Sequence, residues 1–557
     1  MVNRSRKWFR NVLSWLHLDA APKGKDIALR SPRPCPSGRN DWPSVSALHI
    51  PFRRLTLRSA TGMAQRASPY LSGVSARSFA GKKQKLAGRV LIPTLLLSLL
   101  SACTHTNTVW YVDGEAKGAK DGKSWTNAWS SLDAIKGVRG GDVVYISGGP
   151  AGQTRLYTAS SWRPPRGNAK AKILYQIGQD SAHNGTALFD CRNGSWLGRV
   201  SYVTFSGDAG DGQMHYALTN CGVVAFLNHS VNVTISYVNM GAVTEGGGNQ
   251  GGVIDANPVT GLQIDHCYCV VWNTVADHFS YILSNAGAYD ANRAFNNTIY
   301  LPKGTYGYGA DGFQWNGSGL TLANNYVCGY ITNYTGTQHQ DGYQGTSGSY
   351  LKIYNNTFRD MGNAGIFLDG YWGNFVNCMV YNNLIYLSIA VPSGAYPRGM
   401  DVISDHAAKS GPITFQNVMV CNNLIANYPS LYGLGFYAPA TGNGSVYSND
   451  LVANNVCYNT HDGFNIDSAS GLASYDNKYV PAGAGSNFVN FTPITSSSAS
   501  TLFDFHPVAS DTVLRGQGSN LSVYFSIDKD NNARPATGPW DLGPNQYVST
   551  RGAGGVP

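Results

Sequence analysis

From residue 233 onward, short stretches of alternating apolar and polar residues return at near-regular intervals. AFNNTIY (294–300), LANNYVC (322–328), IYNNTFR (353–359), VYNNLIY (380–386), VCNNLIA (420–426) and VANNVCY (452–458) share one layout. An alternating stretch runs into Asn-Asn, and a second short apolar run follows. VTISYVN (233–239) and LQIDHCY (262–268) carry the same strand without the Asn pair. The second Asn of each pair stands at 297, 325, 356, 383, 423 and 455, so the steps are 28, 31, 27, 40 and 32 residues. A two-residue period predicts strands. Asn tolerates left-handed backbone and bonds its own backbone, which suits a tight corner. Identical Asn residues on stacked turns can also hydrogen-bond in a ladder. A strand–corner–strand unit that stacks on copies of itself is a β-solenoid. An antiparallel propeller would want blades of about 40 to 50 residues, longer than most steps here.

In register with the Asn pairs, a further strand precedes each one: DHFS (277–280), DGFQ (311–314), DGYQ (341–344), AGIF (364–367), RGMD (398–401), LGFY (434–437) and DGFN (462–465). The third position is always apolar or aromatic (Phe279, Phe313, Tyr343, Ile366, Met400, Phe436, Phe464) and predicts an inward stack. Its neighbours Ser280, Gln314, Gln344, Asp401 and Asn465 are expected to face out. The first position forms a column of Asp277, Asp311, Asp341, Ala364 and Arg398. Parallel strands lie about 4.8 Å apart, so stacked carboxylates there would repel and raise one another's pKa. Sharing a Ca²⁺ would relieve that, because hard cations take several carboxylate oxygens. Tuning the pair apart would suit acid/base chemistry. His339 lies two residues before Asp341. The competing reading is turn chemistry, since Asp-Gly is a common turn dipeptide; for Asp462, far along the coil, turn chemistry is the expectation.

Aromatics crowd the same face or its loops: Trp272, Tyr306, Tyr308, Trp315, Tyr343, Tyr371, Trp372 and Tyr396. Exposed rings suit the apolar faces of sugars. The Gly-rich loop 241–252 carries Glu245 but lacks a Gly-Lys-Ser/Thr ending, so it is not a phosphate loop. A polar loop at 404–410 holds Asp405, His406 and Lys409.

The net charge of +9 changes meaning once it is divided along the chain. The first 102 residues hold 18 Lys and Arg against 3 Asp and Glu; the remainder holds 23 against 29. A mildly acidic body argues against a nucleic-acid partner, while an acidic polysaccharide needs only a local cationic or metal site. Lys82, Lys83, Lys85 and Arg89 precede the apolar run 90–100, then small residues lead to Cys103. That order predicts a secretory signal, too short for a comfortable membrane span. Residues 1–80 are basic, Ser/Pro-rich and without clear periodicity; they receive no fold, and the late signal raises the expectation of an over-extended gene start. Export permits disulfides, yet Cys328, Cys378, Cys421 and Cys457 fall within apolar strand patterns, where buried small hydrophobes are expected.

Three resemblances sharpen these readings. Leu100-Ser101-Ala102-Cys103 resembles the bacterial lipoprotein box, which implies acylation of Cys103, export, and attachment to the outer membrane or cell surface by a lipid anchor. Residues 109–149 resemble the opening of many secreted right-handed parallel β-helix proteins, which implies a capping helix at about 127–137. Residues 528–547 resemble their closing segment. The expected architecture is therefore an all-β, right-handed parallel β-helix over 104–550, preceded by a signal at 81–103 and acting as a monomer. Asp-Gly-aromatic on consecutive coils is similar to the calcium-dependent pectate lyases, in which aspartates on adjacent turns bind Ca²⁺ and a basic residue takes the proton beside the uronate carboxylate. The resemblance implies Asp311 and Asp341 as metal ligands. It also has departures, for the family's further aspartates are replaced by Gln340 and Gln344.

The leading expectation is an extracytoplasmic polysaccharide lyase acting by β-elimination. Asp311, Asp341, His339 and Arg398 are its candidate catalytic residues, with His339 or Arg398 as the base that takes the C5 proton. Gln314, Gln344, Trp315, Tyr343 and Asp401 would touch substrate, and Asp277, Asp311 and Asp341 would hold Ca²⁺. A glycoside hydrolase using Asp311 and Asp341 is the alternative, and a non-catalytic glycan-binding solenoid the third reading.

Overall fold

The two asparagines of each pair do different work. In the computed structural model the first Asn takes left-handed backbone, with φ between 52° and 59° at residues 296, 324, 355, 382, 422 and 454. It makes the corner, a conformation Asn adopts at little cost. The second turns inward and builds the ladder. The Nδ2 of Asn297 donates to Oδ1 of Asn325 at 2.9 Å, and the bond repeats through Asn356, Asn383, Asn423 and Asn455 to Asn477. Each Nδ2 also donates to a strand carbonyl, and each Oδ1 also accepts the backbone N–H of the Asn below. These buried amides are fully paired, as a dry interior requires.

The structure describes residues 107–241, 252–271, 278–285, 291–301, 311–330, 340–391, 396–404, 412–429, 431–438, 444–481, 487–491 and 503–549. Apart from one C-terminal antiparallel pair, their strands pair in parallel with the equivalent strands one coil away. The result is a right-handed parallel β-helix of about ten coils. Like residues stack inside it. Ile264, Ala294, Leu322, Ile353, Val380, Val420 and Val452 form one inward column before the corner; Cys269, Ile299, Val327, Phe358, Ile385, Ile425 and Cys457 form another after it. All of them are fully buried, and each larger side chain contributes about 1.5–3 kcal/mol by leaving water. The eight described cysteines are free thiols; seven are buried and Cys328 is half-buried.

The ends depart from expectation. In place of a capping helix, the described chain has one 3-10 turn, Leu132–Ala134. Trp129, Leu132, Ile135 and Val138 are buried there, and their spacing of three matches the 3-10 repeat rather than an α-helix. The closing segment does not cap the stack. It lies along one side as a strap over the first-Asn column. Arg534 Nη2 donates to Asn382 Oδ1 at 3.0 Å and to the Gly543 and Pro544 carbonyls. Asn422 Nδ2 donates to the Gly543 carbonyl at 3.0 Å, and Asn454 exchanges two bonds with the Ser519 backbone. Among the described residues no helix is long and apolar enough to cross a membrane.

Candidate active site

The strand that opens with Asp-Gly-aromatic-Gln takes the expected column for four of its five members. Asp341 N–H donates to Asp311 Oδ1 at 2.7 Å, Ala364 N–H donates to Asp341 Oδ1 at 2.8 Å, and Ala364 pairs with Arg398. Two register positions differ. His278, not Asp277, lies opposite Asp311, and Ser280 rather than Phe279 lies opposite Phe313. Leu434, not Phe436, lies opposite Met400. Each slip follows from aligning short motifs by the apolar residue that looked most alike.

Parity decides what the aspartates can do. The first and third positions of a strand share a face. Asp311 and Asp341 therefore turn inward with Phe313 and Tyr343, and are 3% and 0% exposed. Asp341 Oδ1 also accepts Asn363 Nδ2 at 2.8 Å. Both carboxylates hold a corner by accepting amides from the next coil, which is the turn reading extended into a ladder. Trp315 and Tyr343 are likewise core: both are fully buried, and the Tyr343 hydroxyl donates to the Trp315 carbonyl at 2.7 Å. Neither is a sugar platform. Asp311 Oδ1 and Asp341 Oδ1 are each taken by N–H donors inside the coil, so neither of these two oxygens is turned toward a solvent-facing Ca²⁺. Among the described residues no three His, Cys, Asp or Glu converge as metal ligands. Asp277, His339, Cys103, Trp272, Tyr306, Tyr308, Glu245, Asp405, His406 and Lys409 lie outside the described residues, as does the side chain of His278. Asp462 is exposed beside His461, with 2.7 Å between Oδ1 and Nδ1.

The outward column is Gln314, Gln344, Phe367, Asp401, Gly435 and Asn465. Gln314 Nε2 donates to Gln344 Oε1 at 2.7 Å, a polar rung on the outer face. Two coils on, Asp401 is fully buried although it points outward. Arg398 Nη1 donates to Asp401 Oδ2 at 3.0 Å, and its guanidinium lies 5.9 Å from the Phe367 ring centre. The Arg398 side chain remains 33% exposed, so one flank of the cation is held while another meets solvent. From the next coil the Tyr432 hydroxyl reaches Asp401 Oδ2 at 3.4 Å and shares a 2.7 Å bond with the Tyr437 hydroxyl. Gly435 permits this convergence. A Cβ there would stand 2.5 Å from Asp401 Oδ1 and within 3 Å of both tyrosine rings.

The electrostatics follow from that packing. Burial pulls the Arg398 pKa down, but the Asp401 charge and the Tyr432 and Tyr437 hydroxyls outweigh it and hold the group above its ordinary value. Arg398 is a permanent cation, unsuited to the role of base. Burial first, then the Asp401 charge, pushes the Tyr432 hydroxyl well above the usual phenol range, so it keeps its proton. Tyr396, two residues before Arg398, is 61% exposed, and Trp372 in the loop after Ala364–Leu368 is 56% exposed with Tyr371 packed edge-on against it. Tyr432 and Tyr437 were missed in the sequence because the two-residue slip at 434–437 set Phe436 in the column. The pair of tyrosines flanking Gly433 and Gly435 was the available signal.

No protein-family model matches the chain, and no curated protein matches it. Solved structures do. A mannuronic-acid-specific polysaccharide family 6 lyase from human gut microbiota is 12% identical over 63% of this chain and 84% of its own, with a TM-score of 0.38. A rhamnogalacturonan lyase is 15% identical over 69% and 91%, with a TM-score of 0.35. A tailspike protein of an E. coli bacteriophage, in complex with a pentasaccharide, is 12% identical over 62% of this chain, with a TM-score of 0.38; the match spans 60% of the tailspike's length. At such identities and scores, no activity passes from them to this chain.

Proposed function

We propose that this chain is an extracytoplasmic polysaccharide-degrading enzyme, a lyase that cleaves a uronate-containing polymer by β-elimination at the Arg398–Asp401–Tyr432–Tyr437 cluster. The observation that carries the reading is the Arg398 guanidinium, one third exposed, fixed on one side by a fully buried carboxylate that a phenol pair also reaches. A preorganised cation at the edge of a dry cluster stabilises charge more than the same cation in water. Arg398 neutralises the uronate carboxylate, which acidifies the C5–H. His339 keeps the role of base expected from the sequence and takes that proton. The electron pair forms the C4–C5 double bond and the C4–O bond breaks. The leaving oxygen takes a proton from Tyr437, which regains one through Tyr432 from solvent. Gln314 offers hydrogen bonds to sugar hydroxyls on the outer face, held from behind by the buried Gln344, and the exposed Tyr396 and Trp372 offer ring faces. The chain itself is exported and held at the outer membrane or cell surface by an acylated Cys103, the reading its lipoprotein-like signal supports.

The test incubates the purified chain with a panel of uronate-containing and neutral polysaccharides, with Ca²⁺ or with EDTA, scoring unsaturated products and new reducing ends separately. Both signals, lost in Arg398→Gln and Tyr437→Phe, support the reading. Loss with EDTA brings back the Ca²⁺ requirement, with ligands beyond Asp311 and Asp341. Reducing ends alone sink elimination in favour of hydrolysis, and affinity without either signal leaves a binding protein.

A further inference from the structure

The C-terminal part of the chain adds two pieces to the coil. Strands Phe488–Asn490 and Asp504–Pro507 pair antiparallel, and Phe488, Phe491 and Phe505 pack there with Tyr386 and Tyr458. The strap runs elsewhere, along Asn382, Asn422 and Asn454. His506 joins the two. Its Nδ1 bonds Asp504 Oδ1 on its own strand. Its Nε2 lies 2.6 Å from Asp530 Oδ2 and 2.7 Å from the Asn545 side-chain amide, both on the strap. The imidazole is 15% exposed.

One nitrogen facing a carboxylate and an amide at equal range is a choice between partners. With a proton on each ring nitrogen, Nδ1 donates to Asp504 and Nε2 donates to Asp530. With Nδ1 alone protonated, Nε2 presents a lone pair. It then accepts from Asn545 Nδ2 and repels the Asp530 carboxylate. We propose that His506 is a pH-operated latch on the C-terminal strap: protonated, it ties the Asp530 turn to the covering hairpin; neutral, it passes Nε2 to Asn545 and lets that turn go. The charged groups around it on the strap are Asp530, with Lys529 and Asp528 beside it. Asp528 holds the turn from within, accepting N–H bonds from Asp530 and Asn532. On its own strand the charge is Asp504. Burial alone would lower the His506 pKa, but the bonds and charges of Asp504 and Asp530 outweigh it and raise it. A histidine with a raised folded pKa stabilises fully below its unfolded value of about 6.5, and that contribution is lost as pH rises through the folded value. The strap is therefore tight in acid and looser in mild alkali.

Hydrogen exchange read by mass spectrometry on the full chain, corrected for intrinsic rates, tests this at about pH 6 and about pH 9. Peptides from 526–534 are expected to open roughly tenfold more at the higher pH, the worth of one hydrogen bond to a charged group, while the Asn383–Asn423 coils stay unchanged. His506→Gln and Asp530→Asn should each flatten that difference. Exchange of the His506 C2 proton in the unmutated chain gives its titration directly and needs no variant to fold. Equal protection of 526–534 at both pH values, the same slope in His506→Gln, or a His506 titration at or below that of free histidine would each overturn the latch.

Discussion

Asn355 and Asn356 are the same amino acid, side by side and both buried, yet opposite outcomes are expected on deleting their side chains. Asn356 makes four side-chain bonds. Its Nδ2 donates to the Leu322 carbonyl and to Asn383 Oδ1, each at 3.0 Å. Its Oδ1 accepts the Asn325 backbone N–H and Asn325 Nδ2, each at 2.9 Å. At a net worth of about 0.5–1.5 kcal/mol per bond, Asn356→Ala should cost about 3 kcal/mol, with the Asn325 backbone N–H left unpaired as the largest part. Asn355 holds φ at 56°, and neither its Nδ2 nor its Oδ1 has a hydrogen-bond partner among the described residues. Asn355→Gly removes two buried polar atoms and keeps the left-handed corner, against about 0.5–1 kcal/mol of added chain entropy. Its expected effect lies within about 1 kcal/mol of zero. Denaturant unfolding by circular dichroism would compare the two, with hydrogen exchange over residues 320–386 to localise the change, because a long solenoid need not unfold in one step. Equal losses in the two variants, or a loss in Asn356→Ala below about 1 kcal/mol, would refute the division of labour between the paired asparagines.

Gly435→Ala should abolish turnover while the coils stay folded, since a Cβ 2.5 Å from Asp401 Oδ1 drives the carboxylate and the tyrosines apart; activity within about twofold of the parent would sink the site. Arg398→Gln should lose activity and also lower stability, because it strands the buried Asp401 charge; the cost lies below the roughly 3–5 kcal/mol of a fully buried pair, as the guanidinium is partly solvated. Burial pushes the Asp450 carboxyl up to about 6 although it accepts the Val418 and Ser448 N–H groups. A carboxyl with a raised folded pKa stabilises fully below its unfolded value and loses that contribution as pH rises through about 6. Melting curves at a series of pH values should show that slope, and Asp450→Asn should remove it. Cutting the chain after residue 525 should expose Asn382 and Asn422 while Asn454 keeps its Ser519 partner, and increased exchange at the first two corners alone is the readout.

The solenoid was legible because its instructions repeat. Six Asn-Asn pairs at similar spacing carry both the corner and the ladder, and each copy supports the reading of the others. The site was harder to read because what matters there occurs once. Asp311 and Asp341 attracted attention by repetition, and repetition is the mark of structure: what recurs on every coil is what stacks. Parity in the strand already set them on the face of Phe313, inside. Arg398 and Asp401 were found by position in a column. Tyr432 and Tyr437 were not, since their meeting depends on Leu434 rather than Phe436 lying opposite Met400, a register that hydrophobicity alone does not distinguish. The strap was recognised as a segment but not placed, because its contacts with Asn382 and Asn422 lie more than a hundred residues away in sequence.

The ladder of second asparagines makes length a free variable. Every rung offers the same two donors and the same acceptor to its neighbours, whether the intervening chain has 27 residues, as between Asn356 and Asn383, or 40, as between Asn383 and Asn423. Loops can therefore grow or shrink on one coil without disturbing the next. A gene that duplicated or deleted the stretch between two rungs would rejoin an Asn-Asn corner to an Asn-Asn corner, leaving each surviving amide with a partner. Such a chain could be tuned to longer or shorter polymers by whole coils at a time.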